Sequence, residues 1–162
     1  MQIRLSPAIK GLITAVLMIA LSLFIDANKD HISLKVQYFV YLLYAGGIAW
    51  TLFAFRRSGS FSGRFSELFN QGFRCFIVVT LVMVGFTFVF VRAHPEYAEQ
   101  EAKNTKEYYE AKGDKMPAEI EDLSRKAKKQ YTVTVIFLSI FRYLITGAIM
   151  AAAISALLIR RL

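Results

Sequence analysis

The sequence predicts an all-α fold: an integral membrane four-transmembrane-helix bundle with an outer helical hairpin between spans three and four. Three observations carry that prediction. Four apolar stretches lie at about residues 9–25, 38–55, 73–91 and 133–159, each near or above the ~20 residues a helix needs to cross ~30 Å of hydrocarbon. They are apolar all round and leave no polar face for water, unlike the amphipathic helices of a soluble bundle. The excess positive charge collects on one side of the membrane these stretches imply, and the long polar segment between the last two is patterned as helix.

Charge sets the orientation, because Lys and Arg near the membrane are kept on the cytoplasmic side. With the amino terminus inside, the inner face receives Arg4, Lys10, Arg56, Arg57, Arg64, Arg74, Arg160 and Arg161 against the single acid Glu67. The outer segments, Asp26 to Val36 and Arg92 to Thr132, hold equal numbers of bases and acids. Arg125, Lys126, Lys128 and Lys129 lie on the outer side close to span four, which longer loops tolerate. The expected location is therefore a multi-pass protein of the inner membrane with both termini cytoplasmic.

Taken in order, the first stretch resembles a secretory signal, since Arg4 and Lys10 precede an apolar run. No small-x-small cleavage site follows Phe24, so it reads as a retained first helix. A pI of about 9.7 points to lipid rather than nucleic acid, because the bases are divided among juxtamembrane positions instead of lining one soluble face. Cys75 is the only cysteine, which excludes an intramolecular disulfide. With two histidines besides, the soft ligands are too few for zinc, and His31 and His94 read as solvated interface residues. No cofactor is expected.

Between spans two and three, Ser58 to Gly63 form a flexible corner. Phe61, Phe65, Leu68, Phe69 and Phe73 then recur at helical spacing and predict a short interfacial helix over about residues 61–72. Its aromatic stripe has two readings, an anchor that sets the tilt of span three or a docking surface for a cytoplasmic partner. The basic pair Arg56 and Arg57, the Gly59-x-Phe61 corner, the Arg64-Phe65-x-Glu67-x-Phe69 segment and Gly72 opening span three resemble a bacterial family of four-helix membrane proteins, the domain of unknown function 4199 family. The resemblance covers nearly the whole chain and implies a small bacterial inner-membrane protein. It supplies no catalytic residues.

The hairpin is expected over about residues 95–131. Pro95 followed by Glu96 and Glu99 makes one helix start, with acids where they complement the dipole. Gly113-Asp114 makes a break and Met116-Pro117 a second start. Charges at i and i+4 suggest the pairs Glu99–Lys103, Glu121–Arg125 and Asp122–Lys126. Tyr97, Ala98, Ala102, Tyr108 and Tyr109 face Ile120, Leu123, Ala127 and Tyr131 if the arms pack on each other. A recognition surface is the other use of that face.

Span four is longer than the bilayer. Counting back ~20 residues from Arg160 sets its outer boundary near Ile140 and puts Arg142 just inside, at the depth of Asp26. Arg142 and Asp26 are accordingly expected as an ion pair, with snorkelling or an anionic-headgroup contact as the other readings of Arg142. Ala148, Ala152 and Ala156, beside Gly147, Ala151 and Ser155, form a small-residue seam for close helix approach, with Gly46, Gly47 and Ala49 as the opposing surface.

No His, Asp or Glu lies deep in a span, and no nucleophile stands at a triad or phosphate-loop spacing, so an enzyme is not expected. Two functions from different classes fit. One is a non-catalytic accessory or scaffold subunit of a larger bacterial inner-membrane complex. The other is a small oligomeric carrier or anionic-lipid-binding membrane protein that uses Arg142. The partners either reading implies are membrane lipid and other membrane subunits or a second copy, with no nucleic acid.

Overall fold

In the computed structural model, which describes residues 5–28 and 37–160, the chain forms five helices and, among the described residues, no strand. Arg4, His31 and Arg161, on which the charge and ligand arguments drew, lie outside the described residues. The helices are α1 (Pro7–Ala27), α2 (Gln37–Arg56), α3 (Phe65–Ala93), α4 (Glu96–Lys112) and α5 (Pro117–Arg160). All except α4 are long and apolar enough to cross a membrane.

Local chemistry sets the helix ends. Ser6 caps α1, its Oγ accepting from the Ile9 N–H at 3.3 Å, with Pro7 in the first turn where a missing N–H costs nothing. The start of α3 follows Gly63, whose φ of +88° suits a residue without Cβ. There the Glu67 carboxylate accepts from the Ser62 N–H at 2.9 Å and from its hydroxyl, and Arg64 lies 3.3 Å away. A short interfacial helix leading into span three was expected over about 61–72; the helix starts at Phe65 instead. Phe61 belongs to the connection, and the remaining positions are the opening turns of a helix that continues unbroken to Ala93. No proline interrupts it, and Gly72 packs instead of bending the chain.

The chain divides into two compact units. The first contains α1, α2, α3 as far as Met83 and α5 from Phe141. Its core is built by backbones that come close. A Cβ on Gly11 would stand 2.6 Å from the Cys75 carbonyl oxygen of α3, and one on Gly47 would meet the Thr14 side chain of α1. Thr14 and Thr51 turn their hydroxyls to carbonyls one turn back, Lys10 and Gly47, so neither leaves a polar group unpaired. Fully buried Tyr44 donates from its hydroxyl to the Tyr143 carbonyl of α5 at 3.2 Å, and a Cβ on Gly147 would collide with that hydroxyl and with Phe76.

The seam on α5 therefore differs from the one expected. Gly147, Ala151, Ser155 and Leu158 are buried, whereas Ala148 and Ala152 are half-buried and Ala156 is exposed. The opposing surface is Gly72, Phe76 and Tyr44 rather than Gly46, and Gly47 serves α1. Successive residues on a helix point ~100° apart, so a run carrying small residues on two adjacent stripes leaves the choice to the shape of the neighbours.

The second unit contains the rest of α3, all of α4 and α5 up to Ile140. The breaks fall where expected: α4 ends at Gly113, with φ +67°, and α5 opens with the Glu119 carboxylate accepting from the Met116 N–H at 3.2 Å. Where a separate second arm was expected, α5 is one helix of 44 residues, about 66 Å at 1.5 Å per residue. Its first turns run antiparallel to α4. Glu99 meets Lys128 at 2.9 Å, Ser124 donates to the Ala102 carbonyl at 2.9 Å, and Lys106 meets Glu121 at 3.9 Å. Glu99 and Glu121 thus pair across the helices and not with Lys103 and Arg125. Ile120 is buried between the arms, Tyr97, Ala98, Ala102, Tyr109, Leu123, Ala127 and Tyr131 are half-buried, and Tyr108 turns outward. At the α4 end, a hydrogen bond from Lys112 at 2.8 Å holds the Asp114 carboxyl below its ordinary range.

Three outcomes test this packing. Gly147→Ala is expected to destabilise the protein by about 1–3 kcal/mol through overpacking against Tyr44 and Phe76. Gly46→Ala, with open space around its Cβ, is expected to be neutral or stabilising by up to about 1 kcal/mol, both read from unfolding midpoints in detergent. A double-mutant cycle on Glu99 and Lys128 should give a coupling below about 1 kcal/mol, since both side chains are more than half exposed.

Candidate functional site

The first unit carries an open recess of about 600 Å³ between the beginning of α1, the end of α2, the α2–α3 connection and the first turns of α3. Each contribution has a local cause. The cap at Ser6 starts α1 so that Lys10 stands one turn in, on the stripe Lys10, Gly11, Thr14, Ala15 and Met18 that faces the other helices. Gly11 lets α1 approach α3 closely, and this draws the Lys10 stem in with it. Trp50, on the last turns of α2, presents its ring 5.5 Å from the Lys10 ammonium. Arg57, Ser58 and Ser60 follow as α2 ends, and Gln71 comes from α3.

The electrostatics are one-sided. Lys10 is only 8% exposed, and among the described residues no carboxylate lies within ion-pair distance of it. Among the described residues the lining holds two cations, Lys10 and Arg57, with the hydroxyls of Ser6, Thr51, Ser58 and Ser60, the Trp50 indole and the Gln71 amide, and no acid. Such a wall offers donors to an oxyanion. Nothing in it resembles an acid–base pair or a nucleophile with its base, and among the described residues no group of His, Cys, Asp or Glu is arranged to hold a metal ion.

The residues singled out from sequence are placed elsewhere. Arg142 is exposed, and its guanidinium reaches the Tyr41 hydroxyl at 3.5 Å. Asp26 is half-buried in the last turn of α1. The phenylalanine stripe is divided: Phe61 packs edge-on against Phe55 at 5.9 Å, Phe65 stacks on Phe69 at 5.8 Å, Leu68 is fully buried, and Phe65 and Phe73 stay almost half exposed. The structure does not gather Arg142, the stripe and the alanine seam into one site.

Sequence reasoning missed the recess because it used Lys10 and Arg57 only as topology charges. The available signal was a lysine inside an apolar stretch with no acid at helical spacing, in a chain with one tryptophan.

Four apolar helices packed through small residues, with a donor-lined recess at their ends, define a multi-pass α-helical membrane protein. Residues 9–161 match the family described as Protein of unknown function (DUF4199), and the chain belongs to it. No curated protein and no solved structure matches the chain.

The fully buried Cys75, whose sulfur lies 3.4 Å from the Thr51 hydroxyl oxygen, gives a check on this packing. A maleimide reagent should label it slowly in the folded protein and completely once the protein is unfolded. Rapid labelling of the folded protein would contradict the close α1–α3 approach at Gly11.

Proposed function

We propose that the chain is a non-catalytic accessory or scaffold subunit of a larger bacterial inner-membrane complex, with both termini cytoplasmic and the α4–α5 helix pair on the periplasmic side. The observation that carries this reading is the α4–α5 pair itself. At about 66 Å, α5 is roughly twice the length a bilayer requires, and α4 braces its first turns with ion pairs and Ile120. A braced, exposed pair with balanced charge and no catalytic grouping suits contact with another protein. The orientation rests on the positive-inside argument, to which Lys10, Arg56, Arg57, Arg64, Arg74 and Arg160 contribute. Phe65 and Phe73 add exposed aromatic surface beside these bases.

A second reading, a small oligomeric carrier or anionic-lipid-binding protein, draws on the exposed Arg142 guanidinium beside the Tyr41 hydroxyl. Arg142→Ala separates the two: complex assembly survives under the first reading and ligand retention is lost under the second.

Two measurements test the proposal. In a Cys75→Ala background, Asp114→Cys should be labelled in intact cells by a membrane-impermeant maleimide while Ser60→Cys is protected; the reverse pattern overturns the orientation. Purification in native nanodiscs at endogenous expression should retain a stoichiometric protein partner, identified by mass spectrometry. Recovery of the chain alone would overturn the subunit reading.

A further inference from the structure

Lys10 is a nearly buried charge with no carboxylate within ion-pair distance among the described residues. An ammonium withdrawn from water without a counter-charge is unfavourable, and proteins ordinarily pair such a group or leave it exposed. As a topology signal Lys10 would act equally well with its head in water, so orientation does not account for its burial. The Trp50 ring at 5.5 Å stabilises a cation but does not neutralise it. What would neutralise it is an anion in the recess it lines, where Arg57 adds a second positive charge and the other polar side chains among the described residues are hydroxyls, an indole and an amide.

The chemistry of that anion follows from the walls. A guanidinium fork, an ammonium and the Ser6 and Ser60 hydroxyls around one space match the several acceptor oxygens of a phosphate group. The amino end of α1, with Ser6 and Pro7 on the rim, adds the favourable end of a helix dipole. The recess is of the size that takes small organic ligands, on the order of 300–1,000 Å³. Leu5, Ala54, Phe55 and Trp50 supply apolar wall for a carbon portion. Its level in the fold is informative too, because α1 begins and α2 ends there, which is where the phosphates of a bilayer lie.

We propose that this recess is a binding site for a glycerophosphate group, with Lys10 and Arg57 as its two cationic contacts and Trp50 as its wall. The same group occurs at the head of an anionic phospholipid and in soluble glycerol phosphates. The site stands independently of the accessory-subunit reading and does not involve Arg142.

The test uses the full-length protein in uncharged detergent, titrated with phosphatidylglycerol or phosphatidylcholine and followed by native mass spectrometry and by the emission of Trp50, the only tryptophan. The wild type should bind phosphatidylglycerol at least ten-fold more tightly than phosphatidylcholine. Lys10→Met should lower the phosphatidylglycerol affinity at least ten-fold and abolish the tryptophan response. Arg57→Gln, at an exposed position outside α2 that does not threaten folding, should lower it several-fold, and Arg142→Gln should leave it unchanged. Equal binding of the two lipids overturns the proposal, as does wild-type affinity in Arg57→Gln and in a folded Lys10→Met. Displacement of bound phosphatidylglycerol by millimolar glycerol 3-phosphate would assign the site to a soluble phosphate. Retention of the lipid under that challenge would assign it to the membrane.

Discussion

The missing side chain at Gly147 governs the first unit. Within hydrocarbon, lipid tails are as apolar as leucine, so helices are held by close packing and by the few hydrogen bonds that cross between them. Tyr44 combines the two. Its ring is fully buried, its hydroxyl reaches the Tyr143 carbonyl at 3.2 Å, and it fits only because Gly147 leaves room. The same device recurs where Gly11 meets Cys75 and where Gly47 meets Thr14, which draws α1 against both α2 and α3. Large apolar residues such as Leu42, Leu81 and Ile149 remain on the outside, where lipid replaces water as their surroundings.

The recess around Lys10 is a consequence of that packing. Once Gly11 brings α1 against α3, the residue before it on the same stripe has to be accommodated among α2 and α3, and Trp50 and Gln71 become its neighbours. The bundle thus converts a lysine that composition alone marks as a membrane-edge charge into one lining a shaped space with no acid among its described residues. α4 has no fully buried residue, and its hold on α5 depends on Ile120, half-buried tyrosines and exposed ion pairs that individually contribute little.

Much of this was legible in the sequence because its causes are local. The four apolar stretches correspond to α1, α2 and the apolar parts of α3 and α5, since run length and hydrophobicity decide what crosses hydrocarbon. The start of α4 after Pro95, its end at Gly113 and the start of α5 at Pro117 were readable from residues that restrict or relax the backbone. The start of α3 was less so: the Phe61-to-Phe73 spacing is helical throughout, and only the Gly63 turn and the Ser62–Glu67 hydrogen bonds exclude Phe61 from the helix.

The sequence by itself determined the class, the spans and the family, because hydropathy and backbone breakers act within a few residues. The tertiary structure decided what depends on a neighbour's shape. It selected the Gly147, Ala151 and Ser155 stripe of α5 over the adjoining alanines, directed Glu99 to Lys128 across the helix pair, and gave Arg142 the Tyr41 hydroxyl. It also collected Lys10, Trp50, Arg57 and Gln71 around one space, although they lie up to about sixty positions apart in the chain. One-dimensional spacing carries no signal for such a grouping, since it arises only when three helices approach closely enough to share it.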